Sequence, residues 1–115
     1  MEKKDKTVQI TASGKVKIKL NRVASMAFRL FLFENADKYN STCNRYHLSG
    51  YHYDSFVKFA LLFDLFNSTD NAGADELKFT ISKAEAILLW GVFQNAAFQD
   101  ASLLEPMMKL HQKLS

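Results

Sequence analysis

The ten residues Glu76 to Glu85, ELKFTISKAE, constrain the fold more than any other part of the chain. Leu77, Phe79 and Ile81 alternate with Lys78 and Thr80, the period of a strand buried on one face only. Ser82-Lys-Ala-Glu85 follows directly and reads as a capping box, in which each end of the first helical turn satisfies a backbone N–H of the other. From Ala84 to Phe98 the only charge is Glu85, so the helix it starts belongs in a core. A half-buried strand running straight into a core helix requires a mixed α and β architecture. Gly91 lies inside that helix at a cost of about 1 kcal/mol relative to Ala. The expectation is a close approach of another backbone at that point.

A second alternating segment, Thr7 to Leu20, reads as a β-hairpin. A two-residue turn at Ser13-Gly14 would oppose Ile10 to Lys17 and mix the faces. A three-residue loop, Ser13-Gly14-Lys15, instead sets Ala12 against Val16, Ile10 against Ile18 and Val8 against Leu20. Gln9, Thr11, Lys17 and Lys19 then share the other face.

Asn21 is placed to cap a helix running to about Tyr39, although AFRLFLFE within it also alternates and a third strand is the alternative. Asp54 or Ser55 to Phe66 is apolar enough for a largely buried helix, interrupted only by Lys58 and Asp64. Both segments end in aromatic-Asn-Ser-Thr, with Asn40 and Asn67 as helix stops. A last helix, Ser102 to about Leu114, aligns Leu103, Met107, Leu110 and Leu114 on one stripe. Glu105 and Lys109 pair one turn apart, and Pro106 is expected in the first turn, where few amides are committed. Trp90 is expected in the core. The fold expected is α+β: a small antiparallel sheet, the N-terminal hairpin plus a strand near 76–81, covered on one face by three to four helices.

At 115 residues the chain fits one domain, with residues 1–6 as a flexible basic arm. A composition 48% hydrophobic and 23% charged excludes the disordered class. The most apolar run, Phe56 to Phe66, is about half the length needed to cross a bilayer, so no membrane partner is expected. No apolar export signal follows Met1, and the single cysteine forms no internal disulfide; both point to a cytoplasmic protein. Ten phenylalanines, seven of them between Phe28 and Phe66, are many for this length, and core packing is the first explanation. The little polar surface left on the first two helices adds the expectation of a homo-oligomer, one apolar stripe finding its partner in another subunit or protein.

The stretch Cys43 to Asp54, CNRYHLSGYHYD, is the densest in reactive side chains. A two-residue turn at Ser49-Gly50 would make it a hairpin with Tyr46, Leu48, Tyr51 and Tyr53 on one face. Arg45, His47, His52 and Asp54 would lie on the other, with Cys43 at its end. Cys43, His47, His52 and Asp54 are ligand types that zinc accepts, but their spacing matches no metal motif. The favoured reading is scaffold, with the tyrosines on the core, and no metal or other cofactor is expected.

Charge is unevenly spread. Up to Lys58 there are eleven Lys and Arg against five acids; beyond it, four Lys against seven acids. Lys15, Lys17 and Lys19 on one hairpin face, with Arg22, form a field suited to phosphates. The plain alternative is that lysines on a strand deter edge-to-edge pairing. That face carries no aromatic residue, so base stacking would have to come from Tyr46, Tyr51 or Tyr53 beside the sheet, with Arg45 as a further nucleic-acid contact. The acidic second half is expected to take no part. The chain has no Walker loop, GxGxxG, GxSxG or HExxH, and no enzymatic activity is expected. The sequence points to a small binding protein for nucleic acid, with a protein-interaction module using the Phe-rich surface as the alternative.

Overall fold

Alternation and capping are realised in a computed structural model that describes residues 7–46, 53–70 and 76–115. The elements are β1 (Val8–Ile10), β2 (Val16–Leu20), α1 (Arg22–Tyr46), α2 (Tyr53–Asp70), β3 (Leu77–Ile81), α3 (Lys83–Gln94) and α4 (Ala101–Leu114). The strands form one antiparallel sheet in the order β1-β2-β3. The fold is α+β, a three-stranded antiparallel sheet packed with four helices.

The hairpin has a three-residue loop, displaced by one residue from its expected place. Thr11 N–H donates to the Lys15 carbonyl at 2.8 Å and Gly14 N–H to the Thr11 carbonyl at 2.9 Å, so Ala12-Ser13-Gly14 is the loop. The register is therefore Val8 to Ile18 and Ile10 to Val16, two residues from that expected. Such a loop ends on a left-handed residue. Gly14 occupies it at φ 85°, a conformation that the displaced alternative would force on Lys15. An odd loop in either place keeps the same residues on each face. Val8, Val16, Ile18 and Leu20 are buried, while Ile10 lies exposed near the turn.

Asn21 caps α1 by accepting from the Ala24 N–H at 2.9 Å. The segment AFRLFLFE is helical, and the strand alternative is excluded. Four residues on, the buried Ser25 hydroxyl accepts from the Leu77 N–H at 3.1 Å, with the carbonyls of Asn21 at 2.7 Å and Leu20 at 3.1 Å as acceptors for its own hydrogen. It thereby ties α1 to both β2 and β3. Phe28 is fully buried, stacked on Phe31 at 5.9 Å and Phe79 at 5.3 Å.

Both long helices pass the asparagines expected to stop them. α1 continues through Asn40 to Tyr46, and α2 through Asn67 to Asp70. Asn ends a helix well when it turns left-handed, but it also fits a helix interior at modest cost where flanking residues pack, as Tyr39 and Thr69 do here. The expected hairpin over Arg45 to Asp54 is overturned at both ends, because Cys43 to Tyr46 and Tyr53 to Asp54 are helical. Its turn, Ser49-Gly50, lies outside the described residues.

The capping box of α3 is complete: Ser82 accepts from the Glu85 N–H at 3.1 Å and Glu85 from the Ser82 N–H at 2.9 Å. Gly91 departs from expectation, since a Cβ there would meet nothing within 4 Å. Gly91→Ala should therefore stabilise the protein by up to about 1 kcal/mol, read as a raised thermal midpoint. Trp90 sits at the rim of the core, stacked on His111 at 4.7 Å. In α4, Leu103, Met107 and Leu110 are buried and Lys109 pairs with Glu105 at 2.7 Å. Asp100 caps the helix, so Pro106 falls in the second turn, not the first. Its missing N–H forfeits a helical hydrogen bond, against which it buries its ring in the core.

Candidate polyanion interface

Because β2 buries Val16, Ile18 and Leu20, its odd-numbered residues must face solvent. β3 does the same with Leu77 and Ile81 inward and Lys78 and Thr80 outward, and Phe79 stacks partly buried on Phe28. Pairing assembles two rows across the open face. One row is Gln9, Lys17 and Thr80; the next contains Lys19 and Lys78 directly opposite each other, with Thr7 bonded to the Lys19 N–H at 2.8 Å. Lys15 closes the hairpin on the same side. Rows two residues apart are about 7 Å apart. Among the described residues the one acid paired with them is Glu76, whose Oε2 is 3.5 Å from Lys19 Nζ.

Lys78 was hidden by the charge count along the chain, which assigns it to an acidic half. Folding places it on the basic face. Its alternation with Leu77 and Phe79 signals an outward side chain, but the neighbour across the sheet depends on a long-range register. Conversely, the deterrent reading of Lys17 and Lys19 does not fit the topology, because β2 is the central strand and has no free edge.

Of the remaining sequence candidates, those among the described residues do not join this face. Arg22 is exposed in the first turn of α1, just past the end of β2. Phe28 marks where α1 crosses the centre of the sheet, and Tyr46 lies eighteen residues further on, about 27 Å along the helix. Arg45 and Tyr46 thus belong to the far end of the molecule, and Tyr51 lies outside the described residues. Of the four metal-ligand types, Cys43 is in α1 and Asp54 in α2, while His47 and His52 lie outside the described residues. Among the described residues no group of three His, Cys, Asp or Glu is placed to hold a metal ion.

A cleft of about 440 Å³ opens where β2 ends, between the first turns of α1 and α4. Among the described residues its charged walls are Lys19 with Glu76 and Lys109 with Glu105, each cation within 4 Å of an acid. Those pairs leave it close to neutral, unlike the sheet face. Among the described residues no helix is long and apolar enough to cross a membrane. No protein-family model, curated protein or solved structure matches the chain.

Proposed function

We propose that this is a small non-enzymatic binding protein that holds nucleic acid by its phosphates on the open face of the sheet. The observation that carries the reading is the cross-strand pair Lys19 and Lys78, set beside Lys17 on a central strand. Like charges directly opposite in a sheet are destabilising, and departures from local consistency concentrate at functional sites. With Thr7, Gln9 and Thr80 as further polar groups and no aromatic among the described residues, the face offers charge and hydrogen bonds but no stacking platform. Binding should be insensitive to sequence and dominated by counterion release.

The test is affinity for a single-stranded oligonucleotide across a salt series. Two or three neutralised phosphates give a slope of about −1.4 to −2.1 in log affinity against log salt. Replacing Lys17, Lys19 and Lys78 together with Gln should abolish most of that slope, while Arg45→Gln should leave it unchanged. No binding at low salt, or a slope that survives the triple replacement, rules the reading out. The exposed apolar residues of α1 favour a second reading, in which the protein also binds a protein partner.

A further inference from the structure

Helix α1 carries apolar side chains on its solvent side as well as its core side. Val23 (66% exposed), Met26 (66%), Leu30 (56%) and Phe33 (58%) recur at intervals of three, four and three. That spacing makes a straight seam of the kind one helix offers another. Phe98, 71% exposed in the connection from α3 to α4, lines a small cleft with Leu30 and widens the seam.

We infer that this seam pairs with the same seam of a second copy, with the two α1 helices antiparallel about a twofold axis near the level of Phe28. Charge selects both the occupant and the direction. The seam is basic at its start, where Arg22 adds to the positive end of the helix, and acidic at its finish, where Glu34 and Asp37 are exposed. Asp37 continues the seam itself, seven residues after Leu30. In a parallel pair Asp37 would meet Asp37 within the seam. In the antiparallel pair Val23 levels with Phe33 and Met26 with Leu30, and Asp37 lies beyond Val23 at the other helix's positive end, near its Arg22. The helix is therefore complementary to itself reversed.

Area agrees. The five exposed side chains amount to about 500 to 600 Å² per subunit, so a symmetrical pair buries about 1,000 to 1,200 Å², the lower bound of a specific interface. The contact is isologous and closes at two subunits.

Sedimentation equilibrium of the full chain at micromolar concentration is expected to give twice the 13.1 kDa subunit mass. Leu30→Glu buries a charge at the seam and should weaken association at least about 30-fold. Met26→Lys at a still more exposed position is the companion variant, and circular dichroism and thermal melting verify that each remains folded. In a Cys43→Ser background, oxidising a mixture of Val23→Cys and Phe33→Cys chains should link unlike chains, whereas Val23→Cys alone should not link. A wild type that stays monomeric at tens of micromolar overturns the inference. So does a dimer that survives both folded charge variants, or crosslinking of Val23→Cys to itself. None of these outcomes bears on oligonucleotide binding by the sheet, whose slope is measured separately.

Discussion

The open face of the sheet and the outer side of α1 are both solvent surfaces lying over one core, yet they carry opposite chemistry. On β2, a period of two sorts residues completely: Val16, Ile18 and Leu20 inward, Lys17 and Lys19 outward. On α1 no such sorting occurs. Ala24, Phe28, Phe31, Leu32 and Ala36 are buried while Val23, Met26, Leu30 and Phe33, one or two positions away, are exposed. The difference teaches that burial alone did not set the composition of α1. A helix that needs one partner face carries two, whereas the sheet carries one apolar face and one charged face.

The largest test of that contrast uses two phenylalanines five residues apart on the same helix. Phe28→Ala should cost about 3 to 5 kcal/mol by chemical denaturation, as a fully buried aromatic between two rings. Phe33→Ala, measured on dilute monomer, should cost under about 1 kcal/mol. Equal losses would break the distinction between the two sides of α1.

Next comes Ser25→Ala, which strands the Leu77 N–H between α1 and the sheet. It should cost about 1 to 3 kcal/mol, with faster amide exchange at Leu77. No change in exchange would mean that the hydroxyl does not join the two regions.

Lys78→Glu sharpens the sheet side. It turns a like-charge pair with Lys19 into an opposite-charge one and should raise stability by about 0.2 to 1 kcal/mol, while reducing oligonucleotide affinity. A variant less stable than wild type would show that the Lys19 and Lys78 pairing carries no strain.

The smallest effect lies beside the α1 seam, at Asp100 in the cleft of Leu30 and Phe98. The Ser102 hydroxyl, then its N–H, hold the Asp100 carboxylate below its ordinary 3.8. A depressed carboxylate contributes stability that is fully present above 3.8 and is lost as pH falls through the lowered value. Asp100→Asn should flatten the thermal midpoint's pH dependence slightly in that acid window and leave it unchanged near neutrality.

Much of this was legible in residues whose signals are local. The Ser82 box, the Asn21 cap and the Leu103, Met107, Leu110 stripe each depend on groups within about two turns of one another, and each formed as read. The hairpin's parity was legible too, though its register was not, because choosing the residue that turns left-handed requires placing Gly14 at the end of the loop and not its middle. The ends of α1 and α2 were misjudged for a related reason. Asn40 and Asn67 are weak stops, overruled by the packing of the two helices on each other, with Tyr39 and Thr69 buried alongside.

The sequence by itself determined which residues point inward on each strand, where two helices begin and that a mixed sheet and helix core would form, because those follow from period and capping along a few residues. Only the tertiary structure decided that β2 is central, that Lys78 from the acidic half stands opposite Lys19, and that Arg45 and Tyr46 are carried to the far end of a 25-residue helix. The tertiary structure also decided which side of α1 remains exposed. These depend on contacts between residues some sixty positions apart, whose pairing is chosen by the burial of the whole core and by no local pattern.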